Sequence, residues 1–170
     1  EKRTARAERY EIEARKALAE QQAALASIQR DTAVAWLDAW YADAVVGAIA
    51  EQRSRALQEV QAAESEYRAG RGSRPDVLMA HANVAMLDDR AAEALRKARN
   101  ARAILARWTG EDVAARALGA KPDIAALNVS AHDETLAGHP EIEAMSRAQE
   151  VAAAEARLAR ANREPDWSVE

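Results

Sequence analysis

The sequence predicts an all-α protein: a long antiparallel coiled-coil hairpin, with a third helix stacked end to end on the second and a short irregular linking region. Three observations point there. Residues 1–69 contain no Pro and a single Gly. A glycine-rich break, Ala69-Gly70-Arg71-Gly72-Ser73-Arg74-Pro75-Asp76, follows at once. Beyond it, apolar or small residues recur at Val77, Ala80, Val84, Leu87, Ala91, Ala94, Ala98, Ala101, Leu105 and Trp108. Their steps alternate three and four, the 3.5-residue repeat of a coiled-coil seam.

The first helix is expected over 4–69, about 100 Å at 1.5 Å per residue. Its densest apolar part holds Trp36, Leu37, Trp40, Tyr41, Val45, Val46, Ile49, Leu57 and Val60. That stripe is wider than a two-helix seam requires and predicts contact with more than one neighbouring helix. Gly47 sits inside it, at a cost of up to about 1 kcal/mol relative to Ala. Either another backbone approaches closely there, or the glycine is simply tolerated.

Residues 70–76 form the tip turn. Gly70 fits the left-handed position that ends a helix. Ser73 fits an N-cap, Pro75 lies in the first turn, and Asp76 stands where a capping box places its acid. The second helix then covers 77–109 and Gly110 ends it. Residues 110–138 read as an irregular linker, punctuated by Gly119, Pro122 and Gly138, with short helical pieces at 111–118 and 123–127. His139-Pro140-Glu141 opens a third helix over 140–163, with Ile142, Met145, Val151 and Leu158 as its apolar positions. Pro165 stops it. Trp167 and Val169 then alternate with polar neighbours, the period of a strand beginning at 166–170. Stacked end to end, the second and third helices would run about 90 Å alongside the first.

Composition narrows the function. In a chain of 170 residues, charged residues are 31%, aromatics 4%, and Phe is absent. Ala supplies roughly a quarter, as in long helices and coiled coils. Such side chains fill a thin seam, not a thick core, and 1–170 is read as one α-helical domain. The net charge of −4 comes with both signs interspersed, so no basic stripe points to nucleic acid. Cysteine is absent, which excludes disulfides and thiolate chemistry. No run of 18 apolar residues occurs, and no transmembrane helix is expected. The uncapped helical start at Glu1 reads as a chain cut from something longer.

No catalytic set emerges, so no enzyme activity and no cofactor are expected. Asp88-Asp89 has no His within a turn, and Ser73 has no base near it in sequence. His81, His132 and His139 lack metal-ligand spacing and read as surface or capping residues. Met79 and Met86, seven apart on one helix face, read as core filling. Trp36, Trp40 and Tyr41 read as packing against adjacent helices.

The arrangement, with these motifs, resembles the TolC-like outer membrane factors, or outer membrane efflux proteins. Tyr67-Arg68-Ala69-Gly70-Arg71-Gly72-Ser73-Arg74-Pro75-Asp76-Val77-Leu78-Met79-Ala80 is similar to the family's tip pattern. Leu105-Ala106-Arg107-Trp108-Thr109-Gly110 is similar to its hairpin end, and His139-Pro140-Glu141-Ile142 to the start of its second structural repeat. Pro165-Asp166-Trp167-Ser168-Val169 resembles the beginning of an outer-membrane barrel strand. The Gly-Arg-Gly-Ser tip looks most like the branch that works with heavy-metal pumps of the cobalt-zinc-cadmium type.

The resemblance implies a periplasmic helical portion of an outer membrane protein. Its homotrimers form a tunnel that docks to a periplasmic adaptor and an inner-membrane pump. It implies a docking tip at Gly70, Arg71, Gly72 and Ser73, and a gate role for Asp76. From the residues alone, the same turn also serves local geometry, and Asp76 also serves as an N3 carboxylate on the helix dipole. Two further readings stand beside the duct: the coiled-coil hairpin of an adaptor protein, and a coiled-coil scaffold with no transport role.

Overall fold

The computed structural model describes residues 2–120 and 138–163. The described part is helical: α1 spans Lys2–Arg68, α2 Arg74–Thr109, α3 Glu111–Ala114 and α4 Pro140–Ala161. The strand expected at 166–170 and the helical piece at 123–127 lie outside the described residues, as does His132. The chain divides into two compact units, Asp31–Lys121, and Glu1–Arg30 with Pro122–Glu170.

In the Asp31–Lys121 unit, α1 and α2 lie antiparallel. Three side-chain pairs bridge them among the described residues: Asp43 with Arg102, Arg53 with Asp88, and Glu64 with His81. Each pair steps down α1 as it steps up α2, which fixes the direction. The seam between them is narrow because alanine lines it. Ala35, Ala39 and Ala56 of α1, and Ala94 and Ala98 of α2, are buried, with Val60, Leu87 and Leu105 as the larger members. A methyl group at a contact position lets two backbones approach closely, so little apolar volume is needed to exclude water.

The predicted seam of α2 is the observed one at nine positions. Leu87, Ala94, Ala98 and Leu105 are buried, and Val77, Ala80, Val84, Ala91 and Ala101 are half-buried. Trp108 is the exception, at 45% exposure. The last turn of α2 faces a different neighbour, the segment after Gly110, and Leu105 and Ala106 take that contact.

That segment folds back as a strap. Gly110 at φ +85 turns the chain, and its N–H caps α2 on the Ala106 carbonyl at 2.8 Å. α3 is only one turn, shorter than the piece expected at 111–118, because the Ala114 and Arg116 carbonyls go to an arginine rather than onward along a helix. The Arg102 guanidinium donates to the Ala114 carbonyl at 2.6 Å and the Arg116 carbonyl at 2.9 Å. It also pairs with Asp43 of α1. The Trp40 indole N–H donates to the Gly119 carbonyl at 3.1 Å. Beneath the strap, Ala35, Ala39, Leu105 and Ala114 form the core cluster, flanked by Trp36 and Leu118.

In the other unit, α4 lies antiparallel to the first part of α1. Arg157 pairs with Glu8 at 2.9 Å, Glu155 with Arg9 at 3.8 Å, and Glu141 with Arg30 at 3.8 Å. Ile12, Ala19 and Ala154 are buried there. His139 caps α4, its Nδ1 accepting the Glu141 N–H at 3.3 Å, and Pro140 occupies the first turn, as the sequence predicts.

Three expectations need correction. α2 begins at Arg74, not 77, because Ser73 is the N-cap and the helix starts immediately after it. Met79 and Met86 are not core filling: they stand 68% and 47% exposed on the outer side of α2. On α4 the covered stripe runs through Ala144, Arg147, Val151, Ala154 and Leu158, while Ile142 and Met145 are exposed. Gly47 also resolves to tolerance, since a Cβ there would meet nothing within 4 Å.

Two substitutions test this packing. Leu105→Ala should lower the unfolding free energy by about 2–5 kcal/mol, because a fully covered leucine leaves a cavity. Gly47→Ala should raise it by about 0.5–1 kcal/mol, through helix propensity and a less flexible unfolded chain. Urea unfolding followed by circular dichroism reads both.

Candidate functional site

The turn joining α1 to α2 brings together all five residues the sequence singles out, Gly70, Arg71, Gly72, Ser73 and Asp76. Its construction starts with Gly70, at φ +74. A side chain there would clash with the following carbonyl, so glycine takes the left-handed position. With Gly70 so placed, the Gly70 N–H reaches the Tyr67 carbonyl at 3.0 Å, and the Arg71 N–H reaches the Glu66 carbonyl at 3.0 Å. This pair of bonds is a Schellman motif, which satisfies the last carbonyls of α1.

A Schellman motif usually adds an apolar contact between the two residues that close its wider loop. Here those residues are Glu66 and Arg71, and an ion pair replaces the contact. The Arg71 guanidinium donates to both Glu66 carboxylate oxygens, at 2.8 and 2.9 Å. The hydrogen bonds hold the Glu66 carboxyl below the ordinary glutamate range and raise Arg71 above its own.

Gly72 answers a different need. A Cβ on it would sit 3.0 Å from the Tyr67 nitrogen and 3.2 Å from the Glu66 carbonyl carbon. Both are backbone atoms and cannot swing aside. Its N–H shares the Glu66 carbonyl at 3.0 Å. The chain therefore folds flat against the end of α1.

Ser73 and Asp76 then start α2 with a full capping box. The Ser73 hydroxyl accepts the Asp76 N–H at 3.3 Å, and Asp76 Oδ2 accepts the Ser73 N–H at 3.1 Å. The same oxygen accepts the Ser73 hydroxyl proton at 2.6 Å. The hydroxyl, then the backbone N–H, holds the Asp76 carboxyl below the ordinary aspartate range. Its charge also faces the positive end of the α2 dipole. All the Asp76 bonds are thus local, and its cap role is complete as it stands.

Outside the turn, no spacing in the sequence points to the Arg102 strap, whose partner Asp43 lies 59 residues away. Glu66 was missed too, although its spacing from Arg71 across the glycine is that of the two loop-closing residues. His81 is a surface residue, its Nε2 3.1 Å from Glu64 Oε1. Trp40 and Tyr41 meet edge to face at 5.2 Å, with Tyr41 on the exposed side. Among the described residues, no group of three His, Asp or Glu is placed to hold a metal ion.

Large apolar side chains are also exposed on α1 and α4. On the first part of α1, Leu18, Leu25 and Ile28 are exposed along a stripe other than the one α4 covers. Ile142 and Met145 do the same on α4, and Val34, Tyr41 and Val45 on the later part of α1. Although no uninterrupted run of 18 apolar residues occurs in the sequence, one window of α1 is long and apolar enough to cross a membrane by length and composition only, at mean hydropathy 1.3, with 11% of it buried. No protein-family model matches the chain, and no curated protein or solved structure is significantly similar to it.

Acid should loosen the turn. Asp76 and Glu66 titrate below their unfolded values, so their contribution is full above about pH 4–5 and is lost as pH falls through the lower folded values. In a carboxyl-carbon NMR titration, the Asp76 midpoint should rise towards the ordinary value in Ser73→Ala, and the Glu66 midpoint likewise in Arg71→Gln. Ser73→Ala should also cost about 1 kcal/mol of stability by loss of the cap.

Proposed function

We propose that the chain is the periplasmic, tunnel-forming helical segment of a trimeric outer membrane channel. The channel would serve a tripartite efflux system, with heavy-metal cations as the exported class. The observation that carries this reading is the second, uncovered apolar stripe on α1 and α4. A helix in an isolated two-stranded coiled coil needs one seam. A helix in a closed tubular wall has a neighbour on each side and needs two. Leu18 and Leu25, with Ile142 and Met145, are in the wrong place for a lone hairpin and in a fitting place for a wall.

The role is passive. The chain contributes a wall segment and a docking turn, without chemistry at a reacting centre. The Gly70 to Asp76 turn would meet the adaptor, because the Schellman bonds and the capping box already fix its backbone and it stands ready without reordering. An adaptor hairpin is the weaker alternative: it would need only the α1–α2 pair and leaves the α4 stripe without purpose.

In the full-length protein, Gly70→Trp, Arg71→Trp or Ser73→Trp should abolish efflux of the exported cation while trimers persist on a native gel. Normal efflux from such trimers would overturn the docking role.

A further inference from the structure

The side chains around the turn sort into satisfied anions and free cations. Glu66 is held by Arg71, Asp76 by Ser73, and Glu64 lies against His81. Arg68 donates only to a carbonyl of its own helix, that of Glu64, at 3.2 Å. No carboxylate among the described residues pairs with Arg68 or Arg74, and both are exposed. Leu78, one turn along from Arg74, is 59% exposed, beside Met79.

We propose that the turn end of the hairpin binds an acidic, aliphatic helical segment, with Arg68 and Arg74 meeting its carboxylates and Leu78 and Met79 meeting its apolar side. The inference deepens the docking reading and rests on it. Charge complementarity selects the partner. Every carboxylate of the turn already has a partner, so a basic segment would find no free anion and would face two free guanidiniums. An acidic one completes both cations, and Arg suits this because its planar fork bonds a carboxylate bidentately. Three arginines and three carboxylates between Glu64 and Asp76 balance in net charge. Recognition is therefore by contact, not by long-range steering. The apolar pair adds area that a charge contact alone lacks.

The test uses this chain and two helical peptide probes, one with Glu and Leu at i, i+4 spacing and one with Lys in place of Glu. Methyl NMR of Leu78 and Met79 reads binding. The Glu/Leu peptide should shift both signals, with affinity falling severalfold between 50 and 500 mM salt. Arg68→Gln with Arg74→Glu should weaken it at least tenfold, and Arg74→Lys far less. An acid at the first position of α2 suits the helix dipole, so the double variant should fold, and circular dichroism checks that. Equal or tighter binding of the Lys/Leu peptide, an unchanged affinity in the double variant, or no binding of either peptide would each overturn the proposal. The tryptophan variants leave Arg68 and Arg74 in place, so loss of efflux in them separates a docking turn from the sign of its partner.

Discussion

The close approach of helices through alanine is the constraint on which the rest depends. Ala35, Ala39, Ala56, Ala94 and Ala98 leave room for little else between α1 and α2. Large apolar side chains are therefore displaced from the seam to the flanks and the outer faces. The same exchange holds in the other unit, where Ala19 and Ala154 are covered while Leu18, Leu25 and Met145 are not. Close backbones and exposed leucines are two consequences of one choice of residue. A seam this thin buries modest area per residue, which makes lateral partners thermodynamically useful.

Because the seam is thin, its ends need separate fastening. At one end the chain reverses through Gly70 and Gly72, and the carboxylates of Glu66 and Asp76 are each held by a partner within the turn. At the other, Arg102 gathers Asp43 and two strap carbonyls about one guanidinium, and Trp40 holds a third. Ion pairs at exposed sites contribute about 0–1 kcal/mol each. The half-buried Arg102 gains more from its two carbonyls, which would otherwise lack partners over an apolar cluster. The middle of the hairpin has only Arg53–Asp88 and Glu64–His81 as polar rungs among the described residues.

Much of this was legible in the sequence. The α2 seam could be read because small and apolar residues keep an unbroken three-and-four spacing there from Val77 to Leu105. The turn could be read because Gly70, Ser73 and Asp76 each do a job set by local geometry. The α4 face could not. Ile142 and Met145 outweigh Ala144 and Ala154 in hydrophobicity, yet the contact selects for small size. Reading Met79 and Met86 as buried failed for the same reason. In α1 no single repeat can be drawn. The covered stripe through Ile12, Ala19 and Ala26 and the one through Ala35, Ala42 and Ile49 differ by two residues in heptad register. The Arg102 strap joins residues too far apart for any spacing rule to connect them.

The proposed duct follows from what those displaced leucines require. Thiol labelling measures it directly, since the chain has no cysteine of its own. Cysteine at Leu18 or Leu25 should react with a water-soluble maleimide in this isolated chain. In the assembled full-length protein it should be protected, because a neighbouring helix covers that stripe. Equal reactivity in both would mean the second stripe has no partner, and the wall would fall with it.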